Sequence, residues 1–209
     1  MNIEKEEQLF KKRMSELERF AEKRYCPVYS DFLNMNEISM LLAMKQELSG
    51  VPLALFGGYE GAERRMACFH GGEPDDDTWM RADYPIACLC IRPVNARFGD
   101  ALTHRDYLGA ILNLGIERGK TGDILIRENT AYLFCSRGIA PFVCENLIQV
   151  KHTNVRAEEE DVGQLDIRPE YRQIKGTVSS LRLDSVVSLA FGIARGVSAD
   201  YIAAGRVFV

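Results

Sequence analysis

Between Tyr84 and Val155 the spacing of apolar residues switches between a period of two and one of about 3.6, and no other feature constrains the fold as tightly. The pattern predicts a strand over Tyr84–Arg92, a helix over Thr103–Leu114 and strands over Asp123–Arg127 and Ala131–Cys135. A helix over Ile139–Leu147 and a last strand over Gln149–Val155 complete the series. Thr103 is placed to cap the first helix. Asp106, three residues on, returns the bond to the backbone and suits the positive end of the helix dipole.

The order β-α-β-β-α-β is the split β-α-β, or ferredoxin-like, arrangement. Such a sheet has one face free of helices, and RNA-recognition folds use that face to stack bases. Tyr132 and Phe134 share one face of the third strand, as stacking would require. The basic-Gly-aromatic signature of an RNA-recognition motif is missing, however, so both rings read as core.

Ahead of this segment, Glu4–Arg24 reads as a charged helix with Leu9, Phe10, Met14, Leu17 and Ala21 as its apolar seam. Its seven basic and six acidic side chains nearly cancel, which implies solvated pairing along the helix. Cys26-Pro-Val-Tyr breaks it. A second helix follows from about Asn36 to Leu48, capped by Asn34 or Asn36. Val51–Phe56 and Arg64–His70 form a hairpin around Gly57–Gly61, and Gly71–Asp77 marks a boundary. After the central segment, Arg156–Glu170 reads as an acidic linker, and Tyr171–Val178 as a strand. The expected fold class is therefore α+β. Residues 1–76 form an N-terminal domain, 77–156 a central one, 157–179 a linker and strand, and 180–209 a small terminal module.

In that module Leu183, Val186, Val187, Ala190, Phe191 and Ala194 make one apolar helical stripe. Gly196 is expected to end the helix in a left-handed cap, Ser198 to start a second helix and Gly205 to close it, with a strand beginning at Arg206. The R-L-D at Arg182–Asp184, the turn Ala194-Arg-Gly196 and the I-x-x-G-x-V-x-V run from Ile202 to Val209 resemble the αL-type RNA-binding module. Ribosomal protein S-four, tyrosyl-tRNA synthetases and many pseudouridine synthases share it. The resemblance implies phosphate contacts at Arg182, Arg195 and Arg206, with Lys175 nearby and Ser185 and Ser188 on the solvent side of the first helix. Counting Arg172, Lys175 and the three arginines against Asp184 and Asp200, the tail is +3 within a chain of net charge −4. The resembled module continues past the V-x-V strand, so the strand at Arg206 is expected to lack pairing partners.

No apolar run approaches the roughly 20 residues that span a bilayer. The charged start carries no secretory signal, so a cytoplasmic protein is expected, without a membrane partner. Six cysteines without a C-x-x-C pair read as buried thiols of a reduced compartment; no metal and no cofactor are expected. His104-Arg-Asp106 has the spelling of a kinase catalytic loop, but Ile111 stands where the metal-binding Asn belongs. Gly119-Lys-Thr121 lacks the first glycine of a phosphate loop, since position 114 is Leu114. Asp184 is followed by Ser185-Val-Val-Ser188 rather than the Thr-Ser-Gly turn of the pseudouridine synthases whose R-L-D it resembles. No catalytic residue is assigned.

Asp31-Phe-Leu33, Gly57-Gly-Tyr59, Ala62-Glu-Arg64, Phe98 and His104-Arg-Asp-x-Leu-Gly-Ala110 recur as a spaced set. With Asn113-Leu-Gly-Ile116, Arg118, Gly122-Asp-Ile124 and the terminal R-L-D, they resemble the YlmH (RqcP) family of bacterial RNA-binding proteins. That resemblance implies a non-catalytic protein on the large ribosomal subunit, in contact with ribosomal RNA and peptidyl-tRNA during ribosome-associated quality control. His104, Arg105, Arg118 and Lys120 form a second candidate RNA surface. Two other readings remain: an RNA-modifying enzyme that uses the module for targeting, and a protein-interaction adaptor working through the first helix and central sheet.

Overall fold

A computed structural model describes residues 3–46, 48, 50–72, 84–95, 102–161 and 173–207. Residues 73–77 of the expected boundary, Phe98, residues 162–170 of the expected linker, Arg172, and Phe208 with Val209 lie outside that set. The chain is α+β and divides into two compact units, Met1–Arg168 and Pro169–Val209.

The first unit opens with α1 (Ile3–Arg24). Met14 and Ala21 are buried and Phe10 and Leu17 pack beside them, but Leu9 is exposed and does not belong to the seam. Cys26-Pro-Val-Tyr does more than break the helix, because Pro27–Leu33 is a strand, β1. Proline is tolerated at its first position, where no ladder donor is lost. α2 (Met35–Ala43) is held by a capping box, with the Glu37 N–H donating to Asn34 Oδ1 at 2.9 Å and the Asn34 N–H to Glu37 Oε2 at 2.7 Å. It ends in a 3₁₀ turn at Met44–Gln46 rather than running on to Leu48. β2 (Leu53–Phe56) and β3 (Arg65–His70) form the expected hairpin, and β1 pairs on the other side of β3, giving a sheet ordered β1-β3-β2.

Alternation along β3 divides the core. Ala67 and Phe69 face α1 and α2, while Met66 and Cys68 face the other way. A bulge between Tyr29 and Phe32 lets β1 aim both rings to that second face. Ser30 fills the irregularity, its hydroxyl accepting the Ala67 N–H at 2.9 Å.

The central segment contributes β4 (Ile86–Pro93), α3 (His104–Asn113), β5 (Thr121–Arg127), β6 (Thr130–Ser136), α4 (Ala140–Asn146), β7 (Gln149–Val150) and β8 (Thr153–Glu160). Its antiparallel sheet runs β5-β6-β4-β8-β7. The last predicted strand is in fact two, joined by a tight turn in which Lys151 takes φ 52°. More consequentially, β8 extends through Glu160, so the first residues of the expected acidic linker lie inside the sheet. Thr153, Val155 and Ala157 are buried there while Asn154, Arg156 and Glu158 are exposed, the alternation of a half-buried strand.

One face of this sheet packs under α3 and α4 through Leu89, Ile91, Tyr107, Ile111, Leu133 and Val143. Much of the other face packs on the three-stranded sheet through Phe32, Tyr59, Met66, Ile86, Cys88 and Phe134. The face expected to be open is therefore largely closed, and Phe134 is core at 0% exposure. Burying a side chain of that size stabilises by about 1.5–3 kcal/mol, more than a surface contact returns. Four cysteines are buried as expected, but Cys26 and Cys144 are only half-buried. Burial pushes the Cys88 and Cys135 thiols up to about 12, so both stay protonated.

The second unit holds α5 (Leu183–Phe191) and α6 (Arg195–Ala203), with the chain bending by 118° between them. α5 stops earlier than its apolar stripe suggests. Gly192, not Gly196, takes the left-handed cap at φ 63°. Ala194 precedes α6, leaving Gly196 and Ser198 inside that helix. The described part of the expected strand at Tyr171–Val178 has no regular structure, nor do Arg206 and Val207.

Candidate nucleic-acid surfaces

Asp123 is a carboxylate beside the apolar run Ile124-Leu-Ile126 of β5, and its partners come from the N-terminal half. Its Oδ2 accepts the Tyr59 hydroxyl at 2.8 Å and the Glu63 N–H at 2.7 Å, and its Oδ1 the Arg64 N–H at 3.1 Å. The Arg64 guanidinium then reaches the carbonyls of Thr121 (2.9 Å), Phe32 (3.0 Å) and Arg118 (3.1 Å). Burial pulls its pKa down, with Glu37 and Asp123 working the other way. Gly58 closes the same joint at φ +100°. A Cβ there would lie 2.4 Å from Phe134 Cδ1.

Two expected RNA-contact residues belong to this joint. Arg118 donates to the carbonyls of Thr121 at 3.0 Å and Gly122 at 3.2 Å, and burial depresses its pKa. Lys120 pairs with Asp31, which also takes Arg13 Nη2 at 2.8 Å. Burial resists the charge on Asp31, but the two cations hold its pKa below the usual value. Arg118 thus turns inward onto backbone carbonyls, while Lys120 keeps 40% of its side chain exposed beside Asp31. His104 and Arg105 are exposed at the start of α3. There the Thr103 N–H donates to Asp106 Oδ2 at 2.8 Å, as the capping pattern predicted, and Lys151 Nζ reaches the same oxygen at 2.8 Å. Lys151 and the Thr103 bonds hold the Asp106 carboxyl down at about 2. Beside it lies a groove of about 500 Å³ lined by Arg105, Asn113, Asn146, Gln149 and Lys151.

In the second unit Asp184 gathers two of the predicted arginines. Arg195 Nε donates to its Oδ2 at 2.5 Å and Arg182 Nε lies 3.5 Å from its Oδ1. Arg195, then Arg182, hold this half-buried carboxyl below its ordinary pKa. Both guanidiniums stay largely in solvent. Arg206 and Lys175 are exposed as well, with the Arg206 guanidinium 6.0 Å from the Tyr201 ring. The serines differ from expectation. Ser185 is buried at 6% exposure, and Ser188 is partly buried with its hydroxyl on the Ile193 carbonyl at 2.7 Å. The stripe is turned accordingly: Val187 is buried, while Phe191 and Val186 are exposed. Asp31, Arg64 and Asp123 appear in the quoted motifs, but only the charge beside an apolar run at Asp123 hinted at a joint.

Among the described residues, no three His, Cys, Asp or Glu side chains converge as a metal site. No single helix there is long and apolar enough to cross a membrane.

The first unit is thus an α+β build of two packed sheets with flanking helices, and the second a pair of short helices, each with an arginine at its start. A family profile described as "Putative RNA-binding domain in YlmH" matches residues 80–164. The chain belongs to the YlmH family. It is 33% identical over 189 residues to "Ribosome-associated protein quality control protein P2" of Bacillus subtilis (strain 168), covering 88% of this chain and 70% of that protein. Its fold is similar to that of "Cell division protein ylmH from Streptococcus pneumoniae", at a TM-score of 0.59 and 23% identity, covering 79% of this chain and 97% of the other.

Proposed function

We propose that the protein is a non-catalytic RNA-binding adaptor of the bacterial translation apparatus. It acts in the cytoplasm on the large ribosomal subunit, contacting ribosomal RNA and peptidyl-tRNA in ribosome-associated quality control. The observation that carries this reading is the gathering of Arg182 and Arg195 on Asp184, with Arg195 hydrogen-bonded at 2.5 Å and Arg182 3.5 Å away, which brings two guanidiniums together at the starts of α5 and α6. Planar guanidiniums held in place suit phosphate oxygens better than freely rotating side chains. The resemblance of this unit to the αL-type module, the strand order of the central sheet and the name of the Bacillus relative support the reading.

Lys175 and Arg206, both exposed, are assigned to the same RNA contact together with Ser188; Ser185, being buried, drops out. His104 and Arg105 remain a second contact, with Lys120 but without the inward-turned Arg118. Catalysis has no part in the reading. Asp106 and Asp184 are held ionised by basic partners, which leaves neither suited to take up a proton near neutral pH.

Crosslinking the full chain to RNA in bacterial lysate, followed by sequencing, tests the proposal. Crosslinks to ribosomal RNA and tRNA from the α5–α6 unit are expected, with no new modified nucleosides by mass spectrometry. Crosslinks scattered over messenger RNA, or a new modified nucleoside, would overturn it.

A further inference from the structure

The helix-free face of the five-stranded sheet is covered only in part. Ile86, Cys88 and Phe134 lie under the three-stranded sheet, but the strands continue past that cover. Beyond it, register sets Arg92 directly opposite Arg156, and Arg127 beside Thr130. These residues share the alternation of Cys90, Tyr132 and Leu125, while Ile91, Ala131, Ile126 and Ala157 face the helices. Arginines from β5, β4 and β8 therefore stand in one row across the sheet. Tyr132, two residues after Thr130 on β6, packs in part against the covered cluster but stays partly exposed where Phe134 is fully buried.

Like charges directly opposite on neighbouring strands destabilise a sheet. The Arg92–Arg156 pair is tolerated because each has an acidic neighbour on the same face. Arg92 Nη2 lies 2.5 Å from Glu160 Oε1, and Arg156 Nη2 lies 2.8 Å from Glu158 Oε1. The two arginine side chains are nonetheless 48% and 75% exposed. Ion pairs so exposed are weak and exchange readily for another anion.

We propose that this end of the sheet is a contact site for single-stranded RNA. A phosphate bridges Arg92 and Arg156, a base stacks on Tyr132, and Glu158 and Glu160 hold the arginines until RNA replaces them. The site rests on the RNA-binding reading above. A phosphate offers a guanidinium the same paired oxygens as a carboxylate, with no glutamate stem to constrain it. An aromatic ring on an open sheet reaches only unstacked bases, because paired bases in an RNA helix are already stacked.

The test is binding of the full chain to a short labelled oligouridine over a salt series, with R182A/R195A in parallel. R92A/R156A should bind about tenfold more weakly and flatten the log–log salt slope by about 0.7, the value for one phosphate contact on a single strand. E158Q/E160Q should bind several-fold more tightly, a gain that a purely structural role for the glutamates would not give. Tyr132→Phe should keep binding, whereas Tyr132→Leu should lose about fivefold or more. If the wild type binds no RNA at all, the RNA-binding reading fails and this site with it. If it binds ribosomal RNA but not oligouridine, the single-strand assignment is wrong. If it binds oligouridine and R92A/R156A matches it in affinity and slope, this site alone is overturned.

Discussion

Arg195 donates its Nε–H to Asp184 at 2.5 Å, tying the first residue of α6 to the second of α5. Removing that carboxylate would bring two opposing changes. It deletes a negative charge near any bound phosphate, and it releases the two guanidiniums it orients. Orientation is expected to be the stronger effect, because Arg195 is held on Asp184 through its Nε at 2.5 Å, which leaves its terminal N–H groups free for a phosphate. Asp184→Asn should therefore weaken RNA binding several-fold despite raising the net charge. Tighter binding by the variant, measured by filter retention or fluorescence anisotropy, would show that Asp184 only repels.

Asp123 satisfies two backbone N–H groups and the Tyr59 hydroxyl across the joint between the sheets. Asp123→Ala leaves those donors without their acceptor, at about 1–3 kcal/mol for each one that stays buried. Urea denaturation should show a loss of about 2 kcal/mol or more. A change below about 0.5 kcal/mol would mean that the joint does not hold the halves together.

Two glycine substitutions should move stability in opposite directions. Gly58→Ala meets Phe134 and an unfavourable φ of +100°, so about 1–3 kcal/mol should be lost. Gly109 lies within α3, where an added Cβ meets nothing within 4 Å. Gly109→Ala should stabilise by about 0.5–1 kcal/mol. Thermal unfolding of the two variants against the wild type measures both signs.

The Asp106 pKa is depressed to about 2. A group whose folded pKa is lowered contributes stability that is fully present above its unfolded value of about 3.9. That contribution is lost as the pH falls through the folded value. The stability difference between the wild type and Asp106→Asn should stay constant near neutral pH and shrink between about pH 4 and pH 2. A difference unchanged across that window would mean that Lys151 and Thr103 do not hold the carboxylate in solution.

Much of this fold was legible in the sequence, and the exceptions have specific causes. The six central elements follow from local apolar periodicity and the Thr103–Asp106 cap, which are properties of neighbouring residues. β1 was hidden because Pro27 looks like a break, and its pairing with β3 is a long-range contact that no local pattern carries. The end of β8 was hidden by Glu158, Glu159 and Glu160, which resemble a solvated tract unless the strands opposite them are known.

The candidate site divides in the same way. Arg182 and Arg195 could be singled out because each sits in its own short local motif, Arg182-Leu-Asp184 and Ala194-Arg-Gly196. Arg118 looked like part of a basic surface, since sequence gives charge but not the partner that turns it inward. Ser185 was placed outward on the assumption that the apolar stripe faces inward, whereas the small hydroxyl residues Ser185 and Ser198 are buried.

The central claim is that Arg182 and Arg195 hold phosphates. Its most direct test is the salt dependence of binding to purified ribosomal RNA by the wild type and R182A/R195A, between about 50 and 200 mM salt. Two lost contacts should flatten the log–log slope by about 1.4–1.8 and weaken binding by about tenfold or more at the lower salt. A double variant with the wild-type slope and affinity would contradict the account.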